Sequence, residues 1–152
     1  MMRYFICAAM LCVTSLSQAW ADSRYVIRGG EVLDTQTRLT WARCSVGQVW
    51  EKEHCVGMVT SFNFDEAQKQ AGAGWRVPTK DELVTLVNSE RTNFPIIDIA
   101  AFPEMDAGHP WYWSATSNGK DIAWYVDFGN GYSSGFVSKG NPFALRLVKG
   151  GK

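Results

Sequence analysis

The chain has 152 residues, 46% of them apolar and 13% aromatic, with 15 Lys+Arg against 15 Asp+Glu and a formal net charge of zero. One domain fits that length. The apolar content excludes a disordered chain, and the even charge argues against a nucleic-acid binder or a polybasic membrane protein, which carry a basic excess. The seven Trp residues are the departure from the ordinary; they suggest either a loop-rich fold pinned by large side chains or an exposed aromatic binding surface.

Residues 1–21 read as a secretory signal peptide, with Arg3 as the positive start, an apolar run over 4–13 and an Ala19-Trp20-Ala21 cleavage site. The apolar run is too short to span a bilayer as a helix. Lipid attachment at Cys12 fits poorly, because the preceding Ala9-Met10-Leu11 lacks the expected Leu-small-small order. Residues 22–152 then form one domain in a periplasmic or secreted protein with no transmembrane segment. Processing removes Arg3 and Trp20, so the net charge becomes −1.

Residues 25–27 and 31–33 read as short strands around a Gly29-Gly30 turn, and residues 34–37 are turn chemistry. Residues 39–42 read as a strand. Cys44 and Cys55 are the cysteines that survive processing, and in an oxidising compartment two cysteines in one small domain most simply form a disulfide. Closing that loop is worth about 3 kcal/mol in the chain-entropy model. A metal site of Cys44, His54 and Cys55 competes. Adjacent His54 and Cys55 rarely reach one ion together, however, and no fourth ligand is near. The spacing is not that of a C-x-x-C redox pair.

Asn63 and Glu66 make a capping box that starts a helix with Phe64, Ala67 and Ala71 on one face, and Gly72 and Gly74 stop it. Thr79 and Glu82 make a second capping box, before a helix whose buried stripe is Leu83, Leu86 and Val87 and which ends near Asn88. Residues 91–110 are irregular but rich in apolar side chains. A strand run starts at Trp111. Residues 124–128 and 132–137 flank Gly129-Asn130-Gly131 as a hairpin. Residues 143–148 form a final strand, with Ala144, Arg146 and Val148 opposite Phe143, Leu145 and Leu147. This order predicts an α+β domain: two helices against antiparallel strands, a long irregular loop region, and terminal strands placed to pair.

Catalytic patterns are missing. The histidines, His54 and His109, have no recognisable nucleophile beside them, and no G-x-S-x-G elbow occurs. The glycines near Asn130 lie between strands, not before a helix, so a phosphate loop is a poor reading. Glu104 and Asp106, near His109, could hold a hard cation, but no D-x-D-x-D-G pattern supports one. The reading therefore includes no enzyme activity, no cofactor and no metal. On a strand, Tyr112 points away from Trp111 and Trp113. Tyr112, Tyr125 and Tyr132, with Asp127 and Asn130, are the candidate binding residues, since rings stack on apolar faces while amides and carboxylates take hydroxyls. The alternative for each is an ordinary packed aromatic.

An ordered series of motifs then stands out: Trp41-Ala42-Arg43-Cys44, Gly74-Trp75-Arg76-Val77-Pro78-Thr79 before Glu82-Leu83, Phe102-Pro103, Tyr112-Trp113-Ser114, residues 124–128 with Gly131, and the closing residues 146–151. The series resembles the Lcl C-terminal domain family, named after a bacterial collagen-like adhesin, over residues 25–151. The resemblance implies a C-type-lectin-like fold with paired N- and C-terminal strands. It gives Trp41, Trp75, Arg76, Pro78, Trp113 and Trp124 structural roles, with Arg76 pairing a carboxylate or a loop carbonyl. It also implies adhesion or the binding of glycans such as sulfated glycosaminoglycans. The charge of −1 lacks the basic excess suited to such polymers, and the triplets of Ca²⁺-dependent lectins are missing. The functional expectation is an exported, non-enzymatic binding module recognising a glycan or protein partner. The alternative is a periplasmic protein–protein interaction factor, such as an inhibitor or immunity protein against an envelope-acting effector.

Overall fold

The computed structural model describes residues 23–151; the expected signal peptide lies outside them. The fold is α+β. An N-terminal meander is built from β1 (Tyr25–Arg28), β2 (Glu31–Asp34) and β3 (Leu39–Ala42). A small hairpin follows, β4 (Val49–Glu51) with β5 (His54–Val56). Next come two short helices, α1 (Phe64–Gln68) and α2 (Lys80–Val84). A three-stranded sheet of β6 (Trp111–Ser117), β7 (Ile122–Asp127) and β8 (Tyr132–Ser138) and the short β9 (Val148–Lys149) complete it.

Both capping boxes form. The Asn63 side chain accepts the Glu66 amide while Glu66 accepts the Asn63 amide, and Thr79 with Glu82 does the same. These reciprocal bonds fix the helix starts but not their lengths. Each helix has five residues, and both end earlier than the sequence pattern predicts. Ala71 is exposed beyond the end of α1, and Leu86 is buried in the turn after α2. At this length, packing stabilises a helix more than propensity does.

The helices lie on opposite faces of the three-stranded sheet. Strand β6 is buried on both sides, and alternate residues enter different clusters. Tyr112 joins Val126, Phe128 and Leu83 in a core shared with Val32 and Trp41 of the meander. Trp113 joins Phe64, Ala67, Ala123, Phe143 and Leu145, with the Phe64 and Trp113 rings edge to face at 5.6 Å.

The terminal pairing differs from the expectation. β9 lies beside β3, not β1, in the order β1-β2-β3-β9, with Trp41 opposite Val148. Val148 also bridges to Arg76, so the C-terminal segment runs between the meander and the residues before α2. The predicted strand over 143–148 is interrupted. Only Val148 and Lys149 are in regular pairing, while Phe143 and Ala144 bridge to Phe62 and Tyr112. The alternation holds nonetheless: Ala144 and Val148 enter one cluster, and Phe143, Leu145 and Leu147 the other.

Arg146 enters the first side as a fully buried cation. Its Nη1 donates to the carbonyls of Ala42 and Arg43, and its Nη2 donates to Ser45 Oγ at 3.3 Å. The guanidinium lies 5.0 Å from the Phe102 ring centre and 5.7 Å from that of Tyr112. Burial depresses its pKa, with the Tyr112 hydroxyl acting the other way. Asp34 is also buried, and it accepts both Arg24 Nε and Nη2. Burial acts to raise the Asp34 carboxyl, but the Arg24 and Gln36 bonds outweigh it and hold the pKa below the usual range. The Cys44–Cys55 disulfide is formed, with Cα atoms 5.4 Å apart.

Two outcomes follow from these charges. Arg146→Lys should lower the unfolding free energy by about 3 kcal/mol in urea denaturation, because one ammonium cannot span the acceptors that the planar fork holds. Asp34→Asn should cost about 3 kcal/mol at pH 7. The native carboxyl is depressed, so its contribution is present above the unfolded carboxylate pKa near 4 and is lost as the pH falls through the lower native value. The gap between wild type and Asp34→Asn should therefore close in acid denaturation series below about pH 4.

Candidate functional site

The register of the three-stranded sheet places Trp111, Asp127 and Tyr132 in one row across β6, β7 and β8. Cross-strand partners share a face, so the row puts a carboxylate between two aromatic rings. Trp111 is 41% exposed and Tyr132 is 68% exposed. Trp111 Nε1 donates to Asp127 Oδ2 at 3.2 Å, which holds the indole against the strand. Asp127 Oδ1 accepts the Gly129 amide at 2.6 Å, and Asn130 Oδ1 accepts the Tyr132 amide at 2.8 Å. The turn is thus organised by the same polar side chains that line the row. Gly131 has φ +79, and a Cβ there would lie 3.1 Å from Val87 and 3.3 Å from Ile96. The tip is therefore seated closely on the irregular region.

The next row inward is Trp113, Tyr125 and Ser134. Phe143 covers it, with ring centres 4.6 Å from Trp113 and 5.0 Å from Tyr125. Tyr125 is half-buried and backs the site instead of lining it. Tyr112 does not belong to the site. It is fully buried, its hydroxyl lies 2.6 Å from Ser45 Oγ, and its ring packs edge-on to Phe128 at 5.4 Å. Alternation along β6 turns Tyr112 away from Trp111 as expected, but the second face is closed by α2 and the meander, so turning away means entering the core.

The sequence reading missed two residues. Trp111 shares its face with Trp113, and only the sheet's outer end leaves it accessible. Phe136 is 81% exposed. It stands two and four residues from Ser134 and Tyr132, a spacing that could have drawn attention to it. A register shift between Ala123 and Tyr125 sets Gly135 and Phe136 against the single Trp124, so Phe136 sits at a bulge on an edge strand.

The remaining candidates are placed elsewhere. Trp41 and Trp113 are fully buried, and Pro78 is buried with its carbonyl accepting the Ala115 amide. Trp124 is half-buried, with Lys80 Nζ 5.1 Å above its ring. Arg76 forks onto Glu82 at 2.6 and 2.7 Å and also donates to the Gly150 carbonyl. His54 Nδ1 lies 2.9 Å from Glu104, whose other oxygen accepts the Cys55 amide at 2.7 Å. The Cys55 amide first, and His54 with it, hold the Glu104 carboxyl below its usual range. His109 Nδ1 lies 2.7 Å from Asp106. Among the described residues no three His, Cys, Asp or Glu side chains converge on a metal-sized site.

The model of the Lcl C-terminal domain matches residues 30–149, and the chain belongs to that family. No curated protein matches the chain. Asp127→Ala should cost about 1 kcal/mol, since it removes bonds to Trp111 Nε1 and the Gly129 amide. It should also release the Trp111 indole, read as a shifted, narrowed Nε1–H resonance while the Trp113 resonance stays in place.

Proposed function

We propose that this member of the Lcl C-terminal domain family is an exported, non-enzymatic binding module. In this reading it has a C-type-lectin-like fold and recognises a glycan through the row of Trp111, Asp127 and Tyr132 with Asn130 beside it. The observation that carries the reading is a fixed carboxylate between two exposed rings on a rigid sheet. Rings offer apolar faces to sugar C–H groups, while Asp127, Asn130 and the Tyr132 hydroxyl offer hydrogen-bonding groups to hydroxyls. Preset side chains lose little freedom on binding. The fold reading is supported by terminal segments that share one sheet and by a long irregular region before the three-stranded sheet. The disulfide fits an oxidising, extracytoplasmic compartment. The non-enzymatic reading is supported by the surface histidines, each of which lies against a carboxylate with no nucleophile in the pair.

One observation favours a second reading, a periplasmic interaction factor such as an inhibitor or immunity protein. Phe136 projects from a bulge on the open edge of β8, four residues along the strand from Tyr132. A large exposed apolar side chain there suits a protein partner better than a sugar.

A glycan array with and without Ca²⁺, read against Tyr132→Ala and Phe136→Ser, separates the two. The glycan reading expects binding that weakens about tenfold in Tyr132→Ala, equal to about 1.4 kcal/mol. Because Tyr132 is exposed, its melting temperature should not change. Capture of a stoichiometric envelope protein, lost in Phe136→Ser, would instead establish the second reading. An array blank for wild type ends the first.

A further inference from the structure

The hairpin of β4 and β5 is joined to the irregular region by the Glu104 carboxylate. Its Oε2 accepts the Cys55 amide at 2.7 Å, and its Oε1 lies 2.9 Å from His54 Nδ1. An ionised carboxylate only accepts, so the imidazole donates. Both bonds are charge-assisted, and such bonds are about twice as strong as neutral ones. The Glu104 carbonyl adds a long bond of 3.4 Å from Gln48 Nε2.

Little else holds the segment around Glu104. Among the described residues, the backbone of residues 103–108 makes no hydrogen bond to backbone outside residues 103–109. Asp106 acts within the segment, accepting the Gly108 amide at 2.8 Å and lying 2.7 Å from His109 Nδ1. Half-buried Met105 gives the segment its apolar hold, packed against the first core cluster. Glu104 itself has φ +52, a left-handed conformation that is costly for a residue with a Cβ and persists only where the surroundings over-determine it. The hairpin is held separately. The disulfide ties Cys55 to Cys44, next to β3. The Arg43 guanidinium, fixed on the carbonyls of Gly29, Ala100 and Ala101, stacks 4.1 Å from the Trp50 ring centre.

We propose that Glu104 is an acid-released clasp. Ionised, it holds residues 104–109 against the hairpin. On protonation it lets go, and residue 104 relaxes out of the left-handed region while the disulfide keeps the hairpin in place. The protonated carboxyl loses its charge, and one of its oxygens becomes a donor. One acceptor oxygen then faces two N–H groups. The charged or titratable groups that act on Glu104 are His54 from β5 and Arg43 from the segment after β3, and both favour the ionised form. Asp106 and His109, on its own segment, pair with each other. The Cys55 amide is the strongest influence, and with His54 and Arg43 it outweighs burial and holds the carboxyl below its usual range. The clasp is therefore closed above the ordinary Glu pKa of about 4.3 and is lost as the pH falls through the lower value of the closed form. It does not depend on the Trp111–Tyr132 row or on what that row binds.

The test is amide hydrogen exchange of the ¹⁵N-labelled wild-type protein, disulfide intact, from pH 7 to pH 3, with each rate corrected for its intrinsic pH dependence. The expected result is a loss of Cys55 amide protection of at least tenfold, with a midpoint below about pH 4.3. The Trp113 amide, bonded to the Ala144 carbonyl in the core, should stay protected throughout. Glu104→Gln keeps the shape and one acceptor without the charge. Its Cys55 amide should be as weakly protected at pH 7 as that of the wild type at pH 3, with no step on acidification. Asp106→Asn removes a carboxylate outside the clasp and should leave the wild-type step in place. If Glu104→Gln does not fold, the wild-type series still decides. Constant Cys55 protection from pH 7 to pH 3, a loss in step with Trp113, or wild-type protection of Cys55 in Glu104→Gln would overturn the proposal.

Discussion

Arg146 carries a positive charge into the interior and meets carbonyl dipoles and ring faces there instead of an acid. Desolvating a guanidinium is costly unless its donors are used. Here the Ala42 and Arg43 carbonyls, Ser45 Oγ, and the faces of Phe102 and Tyr112 offset that cost for the two terminal nitrogens, while Nε is buried without an acceptor among the described residues. Those partners come from the meander, the segment leading to the disulfide, the irregular region and the three-stranded sheet. One side chain thus fixes the relative positions of four parts of the chain. Ser45 is held by Arg146 and Tyr112, and Cys44 beside it starts the disulfide that anchors β4 and β5. The placement of Trp50 therefore traces back to the same buried charge.

The aromatic abundance is mainly architectural. Trp41, Tyr112, Trp113, Phe102 and Phe128 are fully buried, and they fill two clusters separated by β6. A three-stranded sheet covered on both faces leaves little of itself for recognition. Accessible rings remain at its open end, at the β8 bulge, and on the disulfide-closed hairpin. The candidate row is made from aromatics that the core did not absorb, held by the fixed polar side chains of Asp127 and Asn130.

Much of this was legible in the sequence, for local reasons. The capping boxes at Asn63 and Thr79 are short-range hydrogen-bond patterns, so they could be read residue by residue. The alternation over 143–148 survives even where the ladder breaks, because side-chain direction follows the extended backbone and not the partner strand. The Cys44–Cys55 bond followed from pairing the two cysteines left in a small domain read as exported. Tyr112 was misread because period two gives the face of a strand but not whether that face is covered. Coverage comes from α2 and the meander, dozens of residues away. The β4–β5 hairpin was hidden in the same manner: positive φ values at Lys52 and Glu53 build its turn without glycine. The pairing of β9 with β3 depends on contacts more than a hundred residues apart in sequence. No local pattern encodes those.

The position of residues 143–149 bears on how the chain reaches its native state. They are synthesised after every other described element, yet they run through the middle of the molecule. They bridge to Phe62, Arg76, Tyr112 and the meander. Until that segment arrives, both aromatic clusters lack a wall and the meander lacks its fourth strand. Contacts of such long range form slowly, because loop closure must precede them. Folding of both clusters is thereby deferred until residues 143–149 have been added, and neither cluster closes before then.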